Sequence, residues 1–237
     1  MSENINDILR RIQDEKPSFP ILRETSIPVT DEELERIVIA IGRNICPGFT
    51  LDASNRPAYI SFAKWLNGMD FNAMSVESGR ASFIQGDKYR GIYLAGKTGT
   101  GKTIATRVIA NLAEQFGTRF KSDRYGIRFF SNWTEARADE ITAEVTRTGD
   151  VSRFVKAPVL CIQDLGSEPQ ETLYMGNRIE PLRQILEQRG DIPGQFTIIT
   201  SNVPIGDNKS RYGERVQSRL YAMCNLLLMQ GEDRRRK

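Results

Sequence analysis

The sequence predicts an α/β fold in which a parallel five-stranded sheet lies between two layers of helices. Three observations carry that prediction. From Gly91 onward, short β-rich runs at 92–95, 127–131, 159–162, 196–200 and 226–229 alternate with helical stretches at 103–116, 135–147, 177–189 and 213–224. The runs are apolar on both faces, as strands enclosed between helices are. The first run ends at Ala95 and passes through a glycine-rich loop straight into an amphipathic helix. With 237 residues, 39% hydrophobic and 27% charged, the chain can bury one substantial core, and a disordered tail or a disulfide scaffold does not describe it.

The elements before Gly91 are helical. Residues 1–30 are polar, with one short helical pattern (Ile5, Ile8, Leu9, Ile12) that Pro17, Pro20 and Pro28 prevent from continuing, which predicts a small helix on a loose arm. Asp31, Glu32 and Glu33 open a second helix at its positive end, running through Leu34, Ile37, Val38 and Ile41 to Cys46-Pro47-Gly48. A third helix over 55–66 carries Tyr59, Phe62, Ala63 and Trp65. The chain thus divides into a helical arm, 1–48, and an α/β domain, 49–237.

Composition excludes several chemistries. There is no histidine, which removes Ser-His-Asp and Cys-His nucleophiles and imidazole-bound zinc. Cys46, Cys161 and Cys224 lie far apart without C-x-x-C spacing, so buried thiols in a reducing compartment are expected. Met1 to Arg11 has no apolar segment of a signal peptide, and no later stretch nears the roughly 20 apolar residues of a membrane span. A cytoplasmic protein is expected. The net charge of +3 permits anionic partners, and Arg234-Arg235-Arg236-Lys237 reads as a solvated basic end.

In parallel sheets ligands bind at the carboxyl ends of the strands, so the motifs should gather there. Gly96-Lys97-Thr98-Gly99-Thr100-Gly101-Lys102-Thr103 fits G-x-x-x-x-G-K-[ST] between a strand and a helix. The glycines let successive N–H groups turn inward on phosphate oxygens at a helix N-terminus. Lys102 would reach the β- and γ-phosphates of ATP and Thr103 would ligate Mg²⁺. A glycine-rich turn without a ligand is the bland alternative. A GTPase is disfavoured: Asn208-Lys209-Ser210 runs into Arg211 instead of completing N-K-x-D, and Asp164-Leu165-Gly166 is one residue short of D-x-x-G.

The apolar run 159–162 ends in Gln163-Asp164, where a P-loop ATPase keeps paired acids. Gln163 occupies the first position and adds no negative charge for Mg²⁺, so Asp164 must serve one role or share both, as metal group and water activator. A capping Asp at a strand end is the alternative. The run 196–200 leads into Ser201-Asn202, and Asn202 there would sense the γ-phosphate or position water, unless it is an ordinary polar strand end. Arg211, Arg215 and Arg219 recur at i, i+4 and i+8, a solvated stripe or a source of guanidinium for a neighbouring subunit's phosphoryl group.

Together these segments resemble the DnaC/IstB-type AAA+ ATPases, the bacterial helicase loaders and related transposition ATPases. The resemblance rests on 91–96 running into the P-loop, 162–166 with Glu168, Thr200-Ser201-Asn202, and 211–220. It covers about 49 to the C-terminus, where 231–235 is also family-like. It implies a three-layer AAA+ ATPase core without a separate lid, with Lys102 and Thr103 for ATP and Mg²⁺, Asp164 for water activation and Asn202 as sensor. It also implies Arg219 as the arginine finger, supported by Arg215, in a homo-oligomer such as a hexameric ring or spiral. Gln163 departs from the pattern and bears on hydrolysis more than on binding. The implied partners are a replicative DNA helicase or a transposase, together with single-stranded DNA. The arm would grip the protein partner through Ile5, Ile8, Leu9 and Ile12, which could equally pack on their own domain. The loop 167–174 would face DNA, with Tyr174 either stacking on a base or packing in the core.

Overall fold

A computed structural model describes residues 22–24, 29–77 and 80–234. The helix expected around Ile5 to Ile12, the prolines at 17, 20 and 28, and residues 235–237 lie outside them. After a short strand β1 (Leu22–Glu24), helix α1 (Asp31–Ile45) starts at a capping box. The Glu33 amide bonds Thr30 Oγ1 at 3.3 Å and the Thr30 amide bonds Glu33 Oε2 at 2.8 Å, satisfying two end donors. Helix α2 (Arg56–Leu66) follows, then β2 (Asn72–Glu77), β3 (Arg80–Gln85) and β4 (Gly91–Gly96).

Helix α3 (Lys102–Phe116) leads to the strands β5 (Arg119–Ser122), β6 (Gly126–Phe129) and β7 (Thr134–Arg137). Then come α4 (Ala138–Thr148), α5 (Ser152–Val155), β8 (Val159–Leu165), β9 (Thr172–Tyr174) and β10 (Asn177–Ile179). The chain continues through α6 (Pro181–Gly190), β11 (Phe196–Ser201), α7 (Asn208–Tyr212), α8 (Glu214–Met223) and β12 (Cys224–Met229).

The central sheet has seven strands in the order β3-β2-β12-β4-β11-β8-β7. The five from β12 to β7 are parallel, and β2 and β3 extend the sheet antiparallel. Alternation along the inner strands explains their continuous apolar character. Ile92 and Leu94 of β4 and Val159 and Cys161 of β8 join the core under α1, α2 and α3. Tyr93, Ala95, Leu160 and Ile162 face the opposite core, under α4, α6 and α8. The three-layer architecture is therefore as expected. Leu34, Val38 and Ile41 of α1 sit in the first core, which anchors this part of the 1–48 segment to the α/β body.

Several expected elements change. The fifth parallel strand is Thr134–Arg137, where the sequence predicts the start of a helix over 135–147; the helix begins only at Ala138. As the sheet's edge strand, β7 shows no apolar run. The run expected at 127–131 is instead β6, in a second sheet of order β1-β5-β6. The expected helix over 177–189 starts at Pro181, a residue suited to a first helical turn, because 177–179 pair with β9 as a hairpin. Gly213 precedes α8 with φ 86°, and Cys224 already belongs to β12. The β2–β3 hairpin was not anticipated.

Among the described residues no helix is long and apolar enough to cross a membrane. Cys161 and Cys224 are buried and Cys46 is partly exposed. Burial first, and the Glu135 carboxylate second, push the Cys161 thiol up, and burial pushes Cys224 up to about 12. Because the thiolate is the reactive form, a thiol reagent should modify one cysteine in the folded protein and three in denaturant. Rapid labelling of a second thiol in the folded state would contradict this packing.

Candidate nucleotide-binding site

The site is built where β4, β11 and β8 end side by side. Ala95 lies opposite Ser201 in the parallel register, and Ser201 lies opposite Leu165, so Gly96, Asn202 and the turn after Asp164 leave the sheet together. Between β4 and α3 the loop turns through Gly99 (φ 80°) and Gly101 (φ 97°), a left-handed region that costs a side-chain-bearing residue of order 1 kcal/mol or more. The loop thus closes tightly onto the N-terminus of α3. Its Lys102 side chain is buried and donates to the Gly96 carbonyl at 2.8 Å, the Lys97 carbonyl at 2.9 Å and Asn202 Oδ1 at 2.6 Å. Lys102 and Asn202, 100 residues apart in sequence, are thereby in direct contact.

Asp164 has φ 56°, uncommon for a non-glycine residue, and the β8–β11 register shifts between Ile199 and Ser201. Such a bulge takes the side chain out of strand alternation. The Asp164 amide donates to Thr200 Oγ1 at 2.9 Å, and its carboxylate stands 3.5 Å from the Arg137 guanidinium, which also pairs with Asp139 at 3.0 Å. Gln163 is buried, and both ends of its amide are engaged. Its oxygen accepts from Thr200 at 2.8 Å, while its nitrogen donates to Thr106 Oγ1 at 2.7 Å and Glu135 Oε1 at 3.1 Å. Thr106 lies three residues beyond Thr103, almost one helical turn, so the amide is spent one turn below the loop. Thr103 itself is in the first turn of α3 and partly exposed.

The far side of the loop is braced by residues that the motifs do not include. The Arg234 amide donates to the Gly99 carbonyl at 3.0 Å, and its guanidinium reaches Asp52 at 2.6 Å and Ser54 at 3.2 Å. A Cβ on Gly99 would collide with the Asp233 carboxylate. The Ser54 hydroxyl foremost, and Arg234 as well, hold the Asp52 carboxyl well below the usual carboxylate range. Arg234 is therefore part of the fold, a correction to its reading as a solvated end. The only sequence signal for this brace was the family-like stretch 231–235.

The two arginines of α8 are elsewhere. Arg219 donates to the Glu187 carbonyl at 3.0 Å and pairs with Asp191, and Arg215 stands 3.9 Å from Asp191. These partners close α6, before β11 begins, whereas Asn202 follows the other end of that strand. The structure does not bring Arg215 or Arg219 to the loop of their own chain. Glu168 is buried, bonds the Gly166 amide at 2.9 Å and is held by Arg211 and Tyr212, tying the turn after Asp164 to α7. Tyr174 packs over Gly149 behind α4, while Leu173 and Met175 of the β9–β10 hairpin are exposed.

The cradle suits the phosphates of a nucleotide such as ATP: a loop of backbone amides at a helix N-terminus, a lysine beside it and a polar amide contacting that lysine. For Mg²⁺ the donors fit in kind, a Thr103 hydroxyl and an Asp164 carboxylate, hard oxygens of the type this ion takes. Among the described residues no group of three or more His, Cys, Asp or Glu could hold a metal, so the ion would need phosphate oxygens too.

No family model and no curated protein matches this sequence. Among solved structures, the crystal structure of DnaI matches with a TM-score of 0.51 at 19% identity, over 81% of this chain and 93% of that one. The crystal structure of the DnaC helicase loader matches with a TM-score of 0.41 at 21% identity, over 60% of this chain and 78% of that one. AMPPCP-bound DnaA from Aquifex aeolicus matches with a TM-score of 0.47 at 16% identity, over 80% and 51%. At such identity the likeness to DnaI is one of fold: this chain shares the fold of DnaI over 81% of its length.

Proposed function

We propose that this chain is an AAA+ ATPase of the helicase-loader kind, binding ATP with Mg²⁺ on its P-loop and acting as an oligomer with a replicative DNA helicase and single-stranded DNA. The contact of Lys102 with both the loop carbonyls and Asn202 is the observation that carries the nucleotide part. A buried ammonium in contact with the loop carbonyls and with the Asn202 amide supports that reading. The motif resemblance supports the partner assignment.

ATP with Mg²⁺ supplies the phosphoryl group and the metal that offsets its charge. The chain's own groups do the rest. Loop amides orient the phosphates, the Lys102 ammonium pairs with them, and the Thr103 hydroxyl takes a metal position. Asp164, aimed by its bulge, polarises the attacking water, and Asn202 holds that water or the γ-phosphate in place. Arg219, with Arg215 beside it, acts on the site of an adjoining subunit, consistent with its distance from its own loop. Co-purification with a hexameric helicase is the expected result. Capture of an integrase-like protein instead would favour a transposition ATPase, and capture of neither would remove both partner assignments.

One observation favours a second reading, a nucleotide-gated binding module with little turnover: Gln163 stands in the acid's place and its amide is fully engaged. Gln163→Asp separates the two. Under the leading reading the variant gains no turnover and loses about 1–3 kcal/mol of stability, because Thr106 and Glu135 lose their donor. A clear gain in phosphate release would favour the gated module.

A further inference from the structure

We propose that the outward face and tip of the β5–β6 hairpin form a single-stranded nucleic-acid surface, on which Lys121 and Arg124 pair with phosphates and Phe129 stacks on a base. The proposal rests on the reading above in taking single-stranded DNA as a partner, and it assigns that partner to a place none of the motifs indicated.

The charge of this segment sets it apart. Residues 119–129 contain Arg119, Lys121, Arg124 and Arg128 against Asp123 alone, a net +3 that equals the net charge of the entire 237-residue chain. Lys121 and Arg124 are exposed, Arg124 over the Tyr125 ring at 5.6 Å, while Arg128, opposite Phe120, projects to the other side. Arg119 is already engaged in another interaction.

The register decides which side chains share a face. Lys121 lies opposite Ile127 and Arg119 opposite Phe129 in the antiparallel pairing, and directly opposed residues project to the same side. Phe120 and Ser122 project to the other side and are buried, Phe120 against Phe130 and Phe196 at centroid distances of 4.9 and 5.3 Å. The hairpin is thus fixed to the core by its inner face. Its outer face presents Ile127 at 53% and Phe129 at 47% exposure, opposite Lys121 and Arg119.

An exposed ring beside Lys121, with Arg124 at the hairpin tip, matches the two chemistries of a single strand, a phosphate backbone and unstacked bases. An acidic protein would use the cations and leave the ring without a stacking partner. The Tyr125 hydroxyl donates to Gln195 at 2.9 Å, just before β11, whereas Asn202 follows that strand's far end. At about 3.3 Å per residue the surface and the P-loop are separated by roughly 20 Å of strand, so the two can be perturbed separately.

The test is binding of a fluorescent oligothymidylate by the full chain over a salt series, with ATP binding and thermal unfolding measured in parallel. The Lys121→Ala/Arg124→Ala variant should bind more weakly, with a slope of log K against log salt shallower by about 1.4, near 0.7 per cation removed. Phe129→Ala should weaken binding about tenfold with the slope unchanged. Both variants should keep wild-type ATP affinity and unfolding temperature. Wild-type oligonucleotide binding by both variants would overturn the surface alone. If wild type binds ATP but no oligonucleotide, the nucleic-acid partner falls and this proposal with it. Loss of an acidic protein partner with oligonucleotide binding retained would make the face a protein-docking site and overturn the proposal.

Discussion

Lys102→Ala should lower the affinity for ATP by about two orders of magnitude or more while leaving the protein folded. The ammonium bonds both the loop carbonyls and Asn202. A charge-assisted contact to phosphate in a site that excludes water is worth roughly 2–4 kcal/mol, and each 1.4 kcal/mol is tenfold in affinity. The substitution also leaves three acceptors without this donor, so thermal unfolding must be recorded beside calorimetric titration with a non-hydrolysable ATP analogue. A folded variant that binds the analogue within threefold of wild type would show that the lysine does not face the phosphates.

Arg189→Met should be the most destabilising single change outside the site, by about 3–5 kcal/mol. Arg189 is 2% exposed, and burial pushes its guanidinium down to about 10. It donates to Thr197 Oγ1 at 2.9 Å and to the carbonyls of Phe154 (2.9 Å), Val155 (3.2 Å), Ala157 (2.9 Å) and Phe196 (2.6 Å). One side chain thus closes the end of α5 and the starts of β8 and β11, the two strands that present Asp164 and Asn202. Methionine keeps most of the volume but supplies no donor, and four carbonyls lose a hydrogen-bond partner. For a chain of this size the unfolding midpoint should fall by roughly 10 °C. A fall of under about 2 °C would show that water or other donors replace the guanidinium.

What the sequence made legible follows from burial. The strands β4, β8, β11 and β12 are enclosed on both faces, and their uninterrupted apolar runs could be read directly. The sheet-edge strand β7, with the sequence Thr-Glu-Ala-Arg, has one apolar residue in four and could be read as the first turn of the helix that follows it. The hairpins β2–β3 and β9–β10 have exposed strands and left no periodic signal.

The site divides in the same way. Gly96 to Thr103 is contiguous, and its chemistry is written in one motif. The Gln163 network joins Thr106, Glu135 and Thr200 from three other elements, and the Arg234–Asp52 brace spans 182 residues. Pairings at that separation depend on the fold and are not encoded in local spacing. The absence of an acid at 163 was evident in the sequence; the hydrogen bonds that occupy its amide were not.

The most direct measurement compares phosphate release by wild type and Asp164→Asn with Mg²⁺ and ATP, with and without a single-stranded oligonucleotide, alongside binding of the ATP analogue. The expected result is Mg²⁺-dependent turnover in wild type that falls at least about a hundredfold in the variant, with analogue affinity retained. Equal phosphate release by the two proteins, or no binding of the analogue by wild type, would contradict the assignment of this loop and carboxylate as an ATPase site.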